Sequence, residues 1–439
     1  MWLKARADHS TAQREVIMKF RILLWLLGRM MQRAMKKDLN FKKLASRSDA
    51  VYQLMTIDGT VVRHYAFLGG SFLSAAACHP SPDCVIRFQD AAKGFATLTS
   101  KDKNAFALGM KANEIVVEGG FRHLIGFQRL AGLLKKSKVS TDAGGTTIGF
   151  VGVGFIGAPM VRSLMTGGFT VKAYDKNPRA LEMIARDGAV ACPALSGLAD
   201  TDAVIIMVHN MDQVNDVVEE LCPALPSSAS LPIIVMSTVS PDDVKQLRRK
   251  LDGMGRKSIE LLDAPVSGAP LLAEAGKLAI MAGGEKSIFD KVKPVLESMG
   301  DPDRIFYMGP LGTGSAMKLV NNIIGITAGL VALEAMDLGC RAGLDPDVMA
   351  DVINESSGKN FLTDQWPFTK MLLEMMLEDT DYSAKDALFT TGIKDLETAR
   401  KWAGNNSVNL KSAGSSICQI NDMGVDELIS IVKRLLKKE

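Results

Sequence analysis

The sequence predicts an α/β chain: a doubly wound parallel sheet followed by an all-helical segment, with a small α+β domain in front. Three observations carry this. Apolar, strand-length runs alternate with helical periodicity from 146 to about 308. A glycine-rich turn joins the first of those strands to a helix. A separate set of strand and helix signals precedes them, set off by a polar, glycine-containing stretch at 137–145 that reads as a linker.

Taken in order, residues 1–37 read as a basic helix. The first fifty residues hold 12 Lys/Arg against 4 Asp/Glu, whereas the whole chain carries a net charge of only +3. On a helical wheel Ile17, Phe20, Leu23, Leu24, Leu27 and Met31 share one face, and Arg14, Arg21, Arg29, Arg33 and Lys36 lie on the other, into which Ile22, Trp25 and Leu26 intrude. Docking on the chain's own domain is the favoured reading, with attachment to an anionic membrane surface as the alternative. The apolar stretch Ile22–Leu27 is too short to span a bilayer.

Residues 38–138 form the α+β domain. Two strand-like runs, 51–57 and 60–65, flank Asp58-Gly59, a strong hairpin signal. Further strands are expected at 84–88 and 114–118, each leading into a helix; Phe121, Leu124, Phe127, Leu130 and Leu134 recur at helical spacing in the second.

Residues 146–308 form the parallel-sheet domain. The first strand ends in Gly152-x-Gly154-x-x-Gly157, with Phe155 and Ile156 inside the turn. Such a turn lets a backbone approach a pyrophosphate and presents helix N–H groups to it. Asp175, at the end of the second strand, lies 23 positions after Gly152, where an acid can accept from an adenosine ribose. A carboxylate there repels a 2′-phosphate, so NAD is expected; Lys176 and Arg179 keep NADP as the alternative. The runs 203–208 and 233–236 are continuously apolar, as strands buried on both faces require. Val208 ends its strand, and His209, Asn210, Ser237, Thr238 and the stretch 263–268 follow strand ends, so all gather on the cofactor side.

Residues 309–439 read as helical. The helix expected at 316–340 is apolar nearly all round, which implies burial among helices or in a subunit interface. It nevertheless carries Lys318 and Asn322, four apart and so on one face. A desolvated lysine of lowered pKa suits general acid/base work; the bland alternative is a lysine snorkelling from the helix start.

Balanced charge argues against nucleic acid as the main partner. Six scattered cysteines with no metal-ligand spacing imply no metal site, a reducing, cytoplasmic setting, and thiols acting as small buried hydrophobes.

Five motifs in order, "GFVGVGFIGAPM", "MSTVSP", "DAPVSGAPLLAEAGKLAIMAGG", "GPLGTGSAMKLVNN" and "IKDLETA", closely resemble the β-hydroxyacid dehydrogenase family over 146–439. The resemblance implies a Rossmann domain and hydride transfer between NAD and a 3-hydroxy acid or its semialdehyde. It implies Lys318 as the catalytic acid/base and Ser267, Gly268, Ala269 and Asn322 as substrate-binding residues. Thr238 would lie near the nicotinamide ribose, and Lys394 would reach both cofactor and substrate. Where the family has two small flexible positions, this chain has Ala269-Pro270, which puts the shape of the acid pocket in question. The family also implies a homo-oligomer. Imine reductases and 6-phosphogluconate dehydrogenases share the fold and are the alternatives. The segments "SDAVYQLMTIDGTVVRHY", "PDCVIRFQD" and "KANEIVVEGG" resemble the sterol carrier protein type 2 fold. That resemblance implies an apolar ligand in the N-terminal domain, hence a hydrophobic substrate or, alternatively, a lipid-binding module with a regulatory dehydrogenase.

Overall fold

A computed structural model describes residues 2–100, 105–119, 121–134, 145–226, 230–268, 270–364, 366–378 and 385–438. The predicted site residue Ala269 and nearly all of the expected linker lie outside the described residues. Contacts divide the chain into two units: Met1–Lys136 with Gly339–Glu378 and Leu435–Lys438, and Ser137–Leu338 with Asp379–Arg434.

In the first unit β1 (Ala50–Thr56), β2 (Val62–Leu68), β3 (Ser71–Ala75), β4 (Cys84–Phe88) and β5 (Ile115–Gly119) make one sheet in the order β3-β2-β1-β4-β5. β1 and β2 pair antiparallel around the Asp58-Gly59 turn, while β1 and β4 pair parallel. The helix Trp2–Lys37 packs against the helix Ala91–Thr99 and the sheet, with Phe20, Leu24 and Met31 fully buried. Rings fill much of the space between sheet and helices: Phe20 meets Phe88 edge-on, and Tyr52 packs against Phe67 and Phe127. The Tyr65 hydroxyl donates to the Leu24 carbonyl at 2.8 Å, fastening the long helix to β2.

The linear reading placed everything after 309 in one helical segment. Instead, residues Gly339–Glu378 group with the first unit, because the helix Trp366–Glu378 packs on the helices Ala105–Lys111 and Phe121–Leu134. Local periodicity marks which face of a helix is apolar but not what that face packs against, so such a grouping leaves no mark in the sequence.

In the second unit β6 (Thr147–Val151), β7 (Thr170–Tyr174), β8 (Val190–Ala191), β9 (Ala203–Ile206), β10 (Pro232–Val235) and β11 (Glu260–Asp263) run parallel in the order β8-β7-β6-β9-β10-β11. This is the doubly wound Rossmann order, with its switch point between β6 and β9. Strand alternation builds a core on each face. Ile205 and Ile234 face one core; Val204, Ile206, Ile233 and Val235 face the other. The sheet then turns mixed. β12 (Val266–Ser267) and β13 (Leu278–Gly283) pair antiparallel, β13 meets β11 antiparallel at Gly283, and β14 (Gly300–Gly309) pairs parallel with β13. The long helix runs Thr313–Arg341, three residues earlier than its apolar pattern announces.

Cys78 and Cys418 are exposed and Cys340 is half-buried; only Cys84, Cys192 and Cys222 are the buried hydrophobes expected of all six. Spacing alone cannot tell a buried thiol from an exposed one.

Candidate active site

The glycine turn sits at the switch point. Gly152 adopts φ +93°, and a Cβ there would come 2.1 Å from the Met207 carbonyl oxygen. A Cβ on Gly157 would come 1.9 Å from the Gly152 carbonyl oxygen, so helix and turn touch backbone to backbone. At Gly154, by contrast, a Cβ would meet no atom within 4 Å. One glycine makes the bend, one makes the close packing, and one leaves space on the ligand side. Ile156 stands at the N-cap of the helix Gly157–Thr166 and offers no capping side chain. The helix therefore begins with N–H groups that want an anion, with the dipole assisting. Phe155, 43% exposed, stands beside them. These residues fit a dinucleotide pyrophosphate.

Asp175 accepts from the Val153 N–H at 2.7 Å through one oxygen and from the Asn177 N–H at 2.7 Å through the other. The carboxylate is thus held against the glycine turn. Capping of the following helix falls to Asn177, which accepts from the Arg179 N–H, so Asp175 is not spent as a cap.

The strand-end loops are tied together from the helical side. Lys394, in the helix Ile393–Asn405, donates to the His209 carbonyl at 3.0 Å and to the Thr238 carbonyl at 3.1 Å. Burial, and then the Lys394 charge, push the His209 pKa down. The Val208 N–H donates to Ser237 Oγ at 2.8 Å, and Asn210 caps the helix Met211–Leu221. Lys394, His209 and Thr238, chosen from separate stretches of sequence, come together here.

The next residue, Asp395, is the one the sequence reading missed. It is 4% exposed. Oδ2 accepts from Asn322 Nδ2 at 2.6 Å, and Oδ1 lies 2.8 Å from Lys394 Nζ as a charge contact outside hydrogen-bond geometry. Its signal was its position inside the "KDL" run beside a chosen lysine.

Lys318 is 9% exposed and does not snorkel; among the described residues its ammonium makes no hydrogen bond or ion pair. Burial pushes its pKa below the ordinary lysine value, Asp395 pulls it back up, and Lys394 lowers it again. A buried amine of this kind is poised to exchange a proton.

An acid that the sequence places on the cofactor side without a role, Asp263, sets the helix that carries Lys318. Asp263, fully buried at the end of β11, accepts from the Gly312 N–H at 2.7 Å and the Ser315 N–H at 2.6 Å. It satisfies donors that the helix start leaves open. Burial pushes its carboxyl up to about 6 against those two hydrogen bonds. Ser267 ends β12, and Gly268 follows at φ +145° with Leu278 and Leu272 packed where a side chain would go. Ser163, in the helix that follows the glycine turn, donates to the Ala273 carbonyl at 2.7 Å, and Arg162 pairs with Glu274 at 2.7 Å. Those contacts tie the loop after Ser267 to the nucleotide helix.

Hydride chemistry needs a dinucleotide cleft and a group near it that can trade a proton, and this unit builds both at the ends of its parallel strands. That arrangement defines an NAD(P)-dependent oxidoreductase. Residues 147–309 match the family described as the NAD-binding domain of 6-phosphogluconate dehydrogenase, and 312–420 match the NAD-binding domain of NADP-dependent 3-hydroxyisobutyrate dehydrogenase. The mitochondrial 3-hydroxyisobutyrate dehydrogenase of Drosophila melanogaster is 34% identical over 308 residues, covering 69% of this chain and 92% of that protein. The 3-hydroxyisobutyrate dehydrogenase of Pseudomonas aeruginosa is 35% identical over 228 residues, covering 51% and 74%. Among solved structures, 3-hydroxyisobutyrate dehydrogenase from Salmonella typhimurium aligns with a TM-score of 0.54 at 26% identity, covering 66% of this chain and 99% of that one. The chain belongs to the β-hydroxyacid dehydrogenase family, the group of NAD(P)-dependent 3-hydroxyacid dehydrogenases.

Proposed function

We propose that this chain oxidises a 3-hydroxy acid of the 3-hydroxyisobutyrate type, or reduces the corresponding semialdehyde, with NAD preferred to NADP. The observation that carries the reading is Lys318, a buried amine without a hydrogen-bond partner among the described residues, on the same helix as Asn322, whose amide is linked through Asp395 to Lys394. Bound NAD would supply the hydride acceptor. The turn Gly152–Gly157 would hold its pyrophosphate, Asp175 its adenosine ribose, and the loops at Val208–Asn210 and Thr238 would lie along the rest. In the oxidative direction neutral Lys318 takes the hydroxyl proton of the substrate; in the reductive direction its ammonium returns a proton to the developing alkoxide oxygen. Ser267 and the Gly268 N–H receive the substrate carboxylate. Asn322 is fixed by Asp395 and presents its remaining amide capacity to the substrate. Lys394 locks the two strand-end loops and adds positive charge beside the acid. NAD preference rests on the Asp175 carboxylate, which disfavours a 2′-phosphate.

The reading is tested by Lys318→Met. Turnover of 3-hydroxyisobutyrate, followed by NADH formation, should fall by about a thousandfold, the scale of a lost general base. NAD affinity, followed by fluorescence titration, should be unchanged. Retained turnover would remove Lys318 from the chemistry.

The exposed side of the same helix supports self-association. Met317, Val320, Ile324, Val331 and Leu338 stand 36–69% exposed at helical spacing. This fits the interface reading of an all-apolar helix better than full burial within one chain.

A further inference from the structure

The helix Trp2–Lys37 is apolar on two opposite sides, and only one of them is used. Phe20, Leu24 and Met31 are buried in the helix's own unit, and Gly28 packs close to Ser74. On the other side Met18, Ile22, Trp25, Leu26 and Met30 recur at spacings of three and four and are 45–60% exposed. Soluble surfaces scatter such residues singly; a contiguous stripe asks for a partner.

Charge says which partner. Between residues 13 and 37 the sequence holds seven Lys/Arg and one Glu. Lys19 is paired with that Glu15 at 2.6 Å, and Arg21 donates to the Thr60 carbonyl. Arg29 lies over the Trp25 ring at 5.9 Å, and Arg33, Lys36 and Lys37 continue along the exposed end of the helix. We infer that this helix lies flat on an anionic lipid surface, with the stripe set among the acyl chains and its arginines and lysines among the headgroups. The buried side bolts the helix to its domain, so it docks as a preformed face and pays no folding cost at the membrane. Trp25 suits the headgroup boundary, and the long basic stems can reach up to phosphates while their methylenes cover apolar surface.

The experiment is co-sedimentation of the full chain with vesicles of phosphatidylcholine alone and of phosphatidylcholine with one-third phosphatidylserine. The chain should pellet with the anionic vesicles, remain in solution with the neutral ones, and be released by high salt. Arg33→Gln with Lys36→Gln should weaken partitioning by about tenfold or more, since each basic residue at such a surface contributes about 1 kcal/mol. Ile22→Asp with Leu26→Asp should abolish binding while NADH turnover is kept. Failure to pellet with either vesicle overturns the inference, as does equal pelleting with both. So does a fall in molar mass by light scattering in the Ile22→Asp/Leu26→Asp chain, which would assign the stripe to a second copy. Should that double variant lose turnover through misfolding, the glutamine pair, at exposed positions, decides.

Discussion

Asp395 acts through its field on Lys318, the proposed proton-transfer group. Burial favours the neutral amine of Lys318, and the Asp395 anion opposes that. Oxidation needs the neutral amine, so its rate rises as pH climbs through the Lys318 value. Replacing Asp395 by Asn removes the opposing charge, lowers that value further, and should move the rising limb of the kcat/KM profile to lower pH. An unmoved limb would mean the two groups do not couple. Asp175 is tested by cofactor choice: Asp175→Arg should shift the ratio of kcat/KM toward NADP by at least about tenfold, the effect of exchanging a repelled phosphate for a paired one. That variant also loses the bond to the Val153 N–H, so the NAD value should fall together with the gain for NADP.

At the level of elements, the decisive joint is the meeting of β11 with the start of the helix Thr313–Arg341. Asp263 gives one oxygen to each of two backbone N–H groups there. Asparagine can accept only one of them and turns a donor toward the other. Asp263→Asn should therefore lower stability in urea melts by about 2–3 kcal/mol, the scale of hydrogen bonds to a charged group left unmade in a buried site. Turnover should fall further than stability, because the same joint sets Lys318. The approach is close: a Cβ on Gly314 would come 2.2 Å from the Met281 carbonyl oxygen, so the helix start lies directly on β13.

At the scale of the molecule, two exposed apolar stripes stand on two helices of different charge. The stripe on Thr313–Arg341 includes Ile324, 66% exposed, and Val331, 56% exposed. Ile324→Asp with Val331→Asp should reduce the molar mass in light scattering from an oligomer to a monomer, leaving vesicle binding untouched. An unchanged mass would take this helix out of any interface.

The parallel sheet, the glycine turn, Asp175 and Lys318 were legible because each rests on local pattern, whereas Lys394 was legible only through the family resemblance and its tie to two loop carbonyls only in the structure. Continuous apolar runs mark strands buried on both faces, glycines mark backbone contact, and a lysine on a greasy helix marks an expensive burial. Asp395 was not legible as a functional residue, and Asp263 was legible only as a strand-end position on the cofactor side. An acid's role depends on what faces it, and Asn322 and Ser315 lie 73 and 52 residues away from them. The regrouping of Gly339–Glu378 with the first unit was hidden for the same reason: a helix announces its apolar face but not the surface that covers it. On the N-terminal helix the wheel gave one apolar face and a basic face interrupted by Ile22, Trp25 and Leu26. Folding sank Phe20, Leu24 and Met31 of the first in the domain and left the interrupting residues outside. The sequence by itself determined the fold class and the NAD(P) class of cofactor and singled out Lys318 as the candidate proton carrier, since these follow from short-range spacing and chemistry. Tertiary structure alone decided which acids tune them and which surfaces remain unpartnered, because both depend on contacts between residues far apart in the chain.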